Sequence, residues 1–148
     1  MSTPADFLAA LVAFLAAEPH IVATFGAKVY LRRAGADVDP PYLIPWDYRE
    51  HPTTSVEDQP ISLSVRVVTN DSEDAARAAG VVVKNVLDTQ LYNPNAYTRD
   101  PLTWSTGKEV WVRRNDTGTG PVPGIGKGGR YVFVEDIDYE FMCEPIVP

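Results

Sequence analysis

The order and periodicity of the apolar residues predict an α+β fold: a mostly antiparallel sheet, two helices packed on one face, and a long C-terminal hairpin. Three observations carry that expectation. Apolar residues recur at helical spacing over Phe7–Leu15 and again over Ala75–Leu87. Alternation with a period of two runs through Ile61–Val67 and through Tyr131–Cys143. The strand segments fall in adjacent groups, with one helix before them and one between, whereas a doubly wound parallel sheet needs stricter alternation of strand and helix. A chain of 148 residues, 45% apolar and 22% charged, fits a single domain over 1–148 and can bury a sizeable core.

The first helix opens at Thr3-Pro4-Ala5-Asp6, where Thr3 can cap, Pro4 suits the first helical position and Asp6 favours the positive end of the dipole. Phe7, Leu8, Leu11, Val12, Phe14 and Leu15 give it a wide apolar stripe, and Pro19 ends it. Lys28–Arg32 reads as a short strand, Asp39-Pro40-Pro41 as a rigid break, and Tyr42–Trp46 as a second strand. Pro45 has no N–H to give a ladder, so that strand belongs at a sheet edge. The polar segment Asp47–Gln59 reads as a loop.

Ile61, Leu63, Val65 and Val67 alternate with Ser62, Ser64 and Arg66 as a half-buried strand. The acids of Asn70–Asp74 load the start of a second helix, whose small residues Ala75, Ala76, Ala79 and Gly80 permit close approach to a sheet. Asn93-Pro94-Asn95 closes it, and Tyr97–Thr106 is either loop or short strand. In the C-terminal hairpin, Val110 and Val112 alternate with Glu109, Trp111 and Arg113. On the last strand Tyr131, Phe133, Ile137, Tyr139, Phe141 and Cys143 share one face, which Glu135 interrupts, and Asp136, Asp138 and Glu140 share the other.

Between these two strands lies a loop at 115–129 that holds six of the ten glycines. A loop of that length in a compact domain usually serves function or mobility. It is a poor phosphate cradle: Gly126-Lys127 is followed by Gly128, where a P-loop needs Ser or Thr, Pro121 stands where its first glycine belongs, and the loop enters a strand, not a helix. Catalytic chemistry is equally thin. His20, His51 and Cys143 make no metal set, and no serine or cysteine sits in a nucleophile elbow. Asp136, Asp138 and Glu140 could hold a hard cation, but carboxylates two apart on a strand are ordinarily a solvated face. No cofactor and no enzymatic activity are expected. Cys143 allows no disulfide within the chain and reads as a buried structural thiol. The run Phe7–Ala17 is too short to span a bilayer and lacks a basic flank, so a soluble protein without a membrane partner is expected.

A net charge of −7 argues against general nucleic-acid binding, which uses a basic surface. It suits a wall that DNA slides past, and it suits plain solubility equally well. The charge is unevenly distributed. Lys108, Arg113, Arg114, Lys127 and Arg130 stand against Glu109 and Asp116, a local +3, which leaves −10 on the remaining chain. The glycine-rich segment is thus a basic arm on an acidic body, able to dock on a second copy with complementary charge setting the register. Arg113, Arg114, Val122, Ile125, Lys127 and Arg130 are the candidate contact residues, and Asp136, Asp138 and Glu140 the candidate receiving face.

The succession also resembles a known family. A helix Phe7-Leu8-Ala9-Ala10-Leu11-Val12-Ala13-Phe14-Leu15 leads to Ala27-Lys28-Val29-Tyr30. Pro41-Tyr42-Leu43 then opens a strand, and Ile61–Val68 leads to a small-residue helix, Asp74–Leu91. This is similar to the tail terminator, or tail completion, proteins of tailed bacteriophages over Phe7–Leu91, and more loosely over Val110–Val112 and Tyr131–Met142. The 115–129 loop and the Tyr97–Thr106 insertion are longer than the family's minimum. The resemblance implies a structural subunit of a six-membered ring that caps the finished tail tube, stops its polymerisation and joins the neck. The ring would sit at the head-proximal end of the virion tail, assembled in the host cytoplasm. Its implied partners are further copies of itself, the tail tube protein, a neck or connector protein, and genomic DNA crossing the lumen without specific binding. Asp136, Asp138 and Glu140 would line that lumen or receive the arm. The competing readings are another head–tail junction ring and, from a different class, a small ligand-binding domain or enzyme.

Overall fold

The computed structural model describes residues 4–31, 38–50, 59–70, 72–115, 120–126 and 129–145. Their fold is α+β: three helices lie on one face of a curled antiparallel sheet. The first helix, α1, spans Pro4–Ala17 and buries Phe7, Leu8, Leu11 and Leu15 completely. The expected Thr3 cap lies outside the described residues. Pro19 ends α1, as its missing N–H requires, but it also opens a second helix, α2 (Pro19–Phe25). Glu18 makes this possible. Its carboxylate accepts the N–H groups of His20 and Ile21 at 2.8 and 3.0 Å, capping α2 while the chain turns by 74°. A third helix therefore joins the two expected ones. No single helix among the described residues is long and apolar enough to cross a membrane.

The expected strand Lys28–Arg32 contracts to one parallel bridge, Val29 to Leu43, and Arg32 lies outside the described residues. The chain reaches it through a left-handed turn at Gly26 and Ala27 and hydrogen-bonds to the sheet at Leu43. Strand β1 (Tyr42–Glu50) is an edge strand, as Pro45 demands. Leu43 directs its N–H and C=O outward to Lys28 and Tyr30, so Pro45, two residues on, puts its missing donor on the same open edge. A bulge after Trp46, with Asp47 at positive φ, carries β1 four residues into the expected loop. Of that loop, residues 51–58 lie outside the described residues.

Strand β2 (Gln59–Thr69) pairs with β1 on one side and with β6 (Tyr131–Pro145) on the other. Between them comes helix α3 (Glu73–Leu87), capped by the Ser72 hydroxyl on the Ala75 N–H, with Glu73 and Asp74 in its first turn. Asp71 lies outside the described residues. Strand β3 (Thr103–Trp104) is the short strand within the ambiguous 97–106 stretch, and it pairs with β4 (Gly107–Asn115). The sheet order is β1-β2-β6-β4-β3, and β5 (Val122–Ile125) pairs with the start of β6. Part of the glycine-rich loop is thus strand.

The inner face of the sheet supplies Ile61, Leu63, Val65 and Val67 from β2 and Ile137, Tyr139, Phe141 and Cys143 from β6 to one core. Phe7 meets Trp104 and Phe141 edge-on, each at 5.2 Å between ring centres. Two departures from simple alternation have visible causes. A bulge at Val110 in β4 places Glu109 and Val112 inward and leaves Val110 exposed. On β6, Glu135 is buried although charged, because Lys84 of α3 reaches its carboxylate at 3.2 Å. Gly80 lets α3 lie against that carboxylate, since a Cβ there would overlap it.

Phe141→Ala empties a fully buried site and is expected to cost about 3–5 kcal/mol of stability. Ile125→Ala, on an exposed strand, should stay within about 0.5 kcal/mol of wild type. Denaturant unfolding of both variants checks this, and equal losses would contradict the assigned core.

Candidate assembly surfaces

The outer face of the sheet carries the acidic row, and cross-strand register decides what each carboxylate meets. Asp136 lies opposite Arg66, whose Nε and Nη2 donate to its two oxygens at 2.9 and 3.1 Å. Hydrogen bonding to Asp136 holds the Arg66 guanidinium above its ordinary pKa, and the Trp46 ring lies beneath it at 4.3 Å. Asp138 accepts the Ser64 hydroxyl. Glu140 lies opposite Arg113 and pairs with it at 3.1 Å. Lys108 pairs with Glu144 at 2.9 Å. Each carboxylate of the row is therefore engaged by its own sheet. Among the described residues, no three His, Cys, Asp or Glu side chains converge as a metal-holding group.

Arg114 points to the other side of the sheet. Its Nε donates to Asp88, the C-cap residue of α3, at 3.2 Å, and Asn93 donates to the same carboxylate at 3.1 Å. A stronger clamp lies beside it. Arg99 grips Glu109 through two hydrogen bonds of 2.7 and 2.8 Å and donates a third to the Leu87 carbonyl at the end of α3. Glu109 also accepts the Leu102 N–H at 3.1 Å. Both charges are nearly buried, so the pair ties the 88–102 connection firmly to β4.

Between that connection and β4 opens a groove of about 580 Å³. Leu91, Tyr92, Tyr97, Val110 and Trp111 line it, and four of the five are exposed apolar side chains. Its wall is built in advance. The Tyr97 N–H donates to the Asn85 carbonyl at 2.8 Å, its ring stacks on His20 at 3.7 Å, and Gln90 donates to the Ala96 carbonyl.

The opposite end of β6 carries the second surface. Ile125 of β5 lies directly across from Tyr131, and both are more than three-quarters exposed. The turn joining them closes by a hydrogen bond of 2.7 Å from the Gly126 N–H to the Arg130 carbonyl, with Gly129 at φ 74°, a conformation that favours glycine. Val122 is also exposed, and it pairs with Val134 on the other face of the ribbon. Arg130 is exposed and has no ionic partner among the described residues. Lys127, the remaining candidate contact, lies outside the described residues.

The candidate residues thus divide into two groups. Val122, Ile125 and Arg130 cluster on the tip, whereas Arg113 and Arg114 sit on β4 and are held within the chain. The groove was not legible as a site, since it depends on the Val110 bulge and on the Arg99–Glu109 pair, ten residues apart with no motif. The adjacent bulky pair Leu91-Tyr92, just past a helix end, is its one sequence signal. Tyr131 belongs to the tip and not to the core face that its parity assigned it.

No protein-family profile matches the chain, and no curated protein matches it significantly. Four chains of solved structures do match. One, from the virion of a native gene transfer agent particle, superposes with a TM-score of 0.66 at 16% identity, over 95% of this chain and 96% of that one. The two share a fold from end to end.

Arg99→Ala strands the Glu109 carboxylate in the interior and should cost about 3–5 kcal/mol, whereas Lys108→Ala, at an exposed pair, should cost under about 1 kcal/mol. Thermal or denaturant unfolding checks the difference. Burial pushes the Cys143 thiol up to about 12 from 9.0. Below pH 9 it is protonated in folded and unfolded chains alike. Above that, only the unfolded chain ionises, so this thiol should make stability fall as pH rises from about 9 to 12. Replacing Cys143 with alanine should flatten that part of the stability–pH curve.

Proposed function

We propose that this chain is a structural virion protein that assembles as a ring of six, caps the phage tail tube, stops its polymerisation and joins it to the neck. The end-to-end fold match to a virion chain carries the reading, and the resemblance in residue order to tail terminators supports its finer part. The match leaves little of this chain over for a separate catalytic module.

The sheet's outer face suits the wall of a DNA passage. Its arginines are already committed, Arg66 to Asp136 and Arg113 to Glu140. A passing phosphate would have to displace a neighbouring carboxylate to gain a contact, so the face offers DNA little net attraction. The mechanism of termination is geometric: the ring's two faces differ, one mates with the last tube ring, and the other does not repeat the tube's own interface.

Negative-stain electron microscopy of the purified protein is expected to show closed rings, and added rings should hold growing tail tubes at fixed length. A ring that binds a neck or portal protein but leaves tube growth unchanged would assign the chain to another junction ring. Monomers at every concentration would reject the ring. Retardation of DNA at physiological salt would reject the passage wall.

A further inference from the structure

The two exposed apolar surfaces sit near opposite ends of one strand. Tyr131, at the tip, begins β6, and Met142, opposite Trp111 of the groove, lies near its end. At about 3.3 Å per residue they are separated by up to roughly 35 Å. The tip therefore cannot fold back into the groove of its own chain. One surface projects and the other is concave; both are apolar, and they share no residue.

We infer that the groove takes the β5–β6 tip of a second copy of this chain. Ile125 and Tyr131, side by side on one face of the ribbon, would enter between Tyr92, Tyr97 and Val110. Charge agrees with the pairing. Arg130, exposed next to Tyr131, has no ionic partner among the described residues, and neither has Asp100, which is exposed between the groove-lining residues Arg99 and Pro101 and itself lines the adjoining pocket that shares Tyr97 and Thr98 with the groove. Each would supply the other's missing partner across the contact. Among the described residues, the other basic side chains of the segment, Arg113, Arg114 and Lys108, already have partners within the chain, which leaves Arg130 as its unspent charge.

Because donor and acceptor are different patches, the contact is heterologous. It leaves a free tip on one end of every open chain of subunits and a free groove on the other, so it grows until a ring closes or a filament forms. This docking rests on the ring proposed above and names the contact that closes it. The groove is held open by internal bonds before any partner arrives, so little ordering cost falls on that side.

Light scattering coupled to size exclusion tests it on the intact chain. Ile125→Asp removes the tip and Leu91→Asp blocks the groove. Each variant alone should lose rings, with association weakened at least tenfold and circular dichroism unchanged. Mixed together, they should give a one-to-one dimer, since only one good tip and one good groove remain. Arg130→Glu and Asp100→Arg should each weaken association several-fold at low salt, and the pair combined should recover most of it. Rings from Ile125→Asp indistinguishable from wild type would overturn the docking while leaving the ring reading in place. So would intact rings that no longer cap tubes, which would place the tube protein against the tip. Loss of association in both single variants without a dimer on mixing would also overturn it. Monomeric wild type would overturn docking and ring together.

Discussion

The pairing of β6 with its neighbours is the constraint on which the molecule depends. This one strand hydrogen-bonds to β2 along its length on one edge and to β4 and then β5 on the other. Its inward residues form the centre of the core beneath α1 and α3. Its outward residues set which arginine meets which carboxylate. Its two ends place the tip and the groove far apart. A slip of one residue would turn Ile137, Tyr139 and Phe141 to solvent and the acidic row into the core, so burial fixes the register strongly.

Charge pairing then determines what is left for a partner. An acidic chain with a basic segment suggests long-range attraction between whole regions. The folded protein instead resolves most of that charge locally, by cross-strand pairs on the outer face and by the Arg99–Glu109 clamp beneath the groove. The clamp's value is less in net stability than in position, since buried pairs often gain little over an apolar contact. It anchors the 88–102 connection to β4 and so fixes the shape of the concave surface between them. Among the described residues, what remains unneutralised on the tip is Arg130, beside two exposed apolar side chains, Ile125 and Tyr131.

Much of the fold was legible in the residues because local rules and burial agree there. The alternation in β2, the acidic start of α3 with its small residues, and the edge position of Pro45 all follow from periodicity or backbone chemistry. The misreadings share a cause. The number of helices turned on Glu18, whose side chain makes Pro19 a beginning as well as an end. The faces of β4 turned on a bulge that repetition in sequence cannot show. Glu135, read as an interruption, is instead accommodated by Lys84 and by the absence of a side chain at Gly80, both on another element. At the candidate surfaces, the apolar character of Val122 and Ile125 and the charge of Arg130 were readable, but the partners of Arg113 and Arg114 were not, because they lie across strands or on α3.

The account therefore turns on where the β5–β6 tip goes when subunits assemble. A cryo-electron-microscopy map of the assembled particle, at a resolution that shows side chains, measures this directly. It should show Ile125 and Tyr131 of each subunit seated in the neighbouring subunit's groove beside Tyr92 and Tyr97, with Arg130 facing Asp100. A closed ring whose tips stand free in solvent, or whose subunits meet through the outer faces of their sheets, would contradict it.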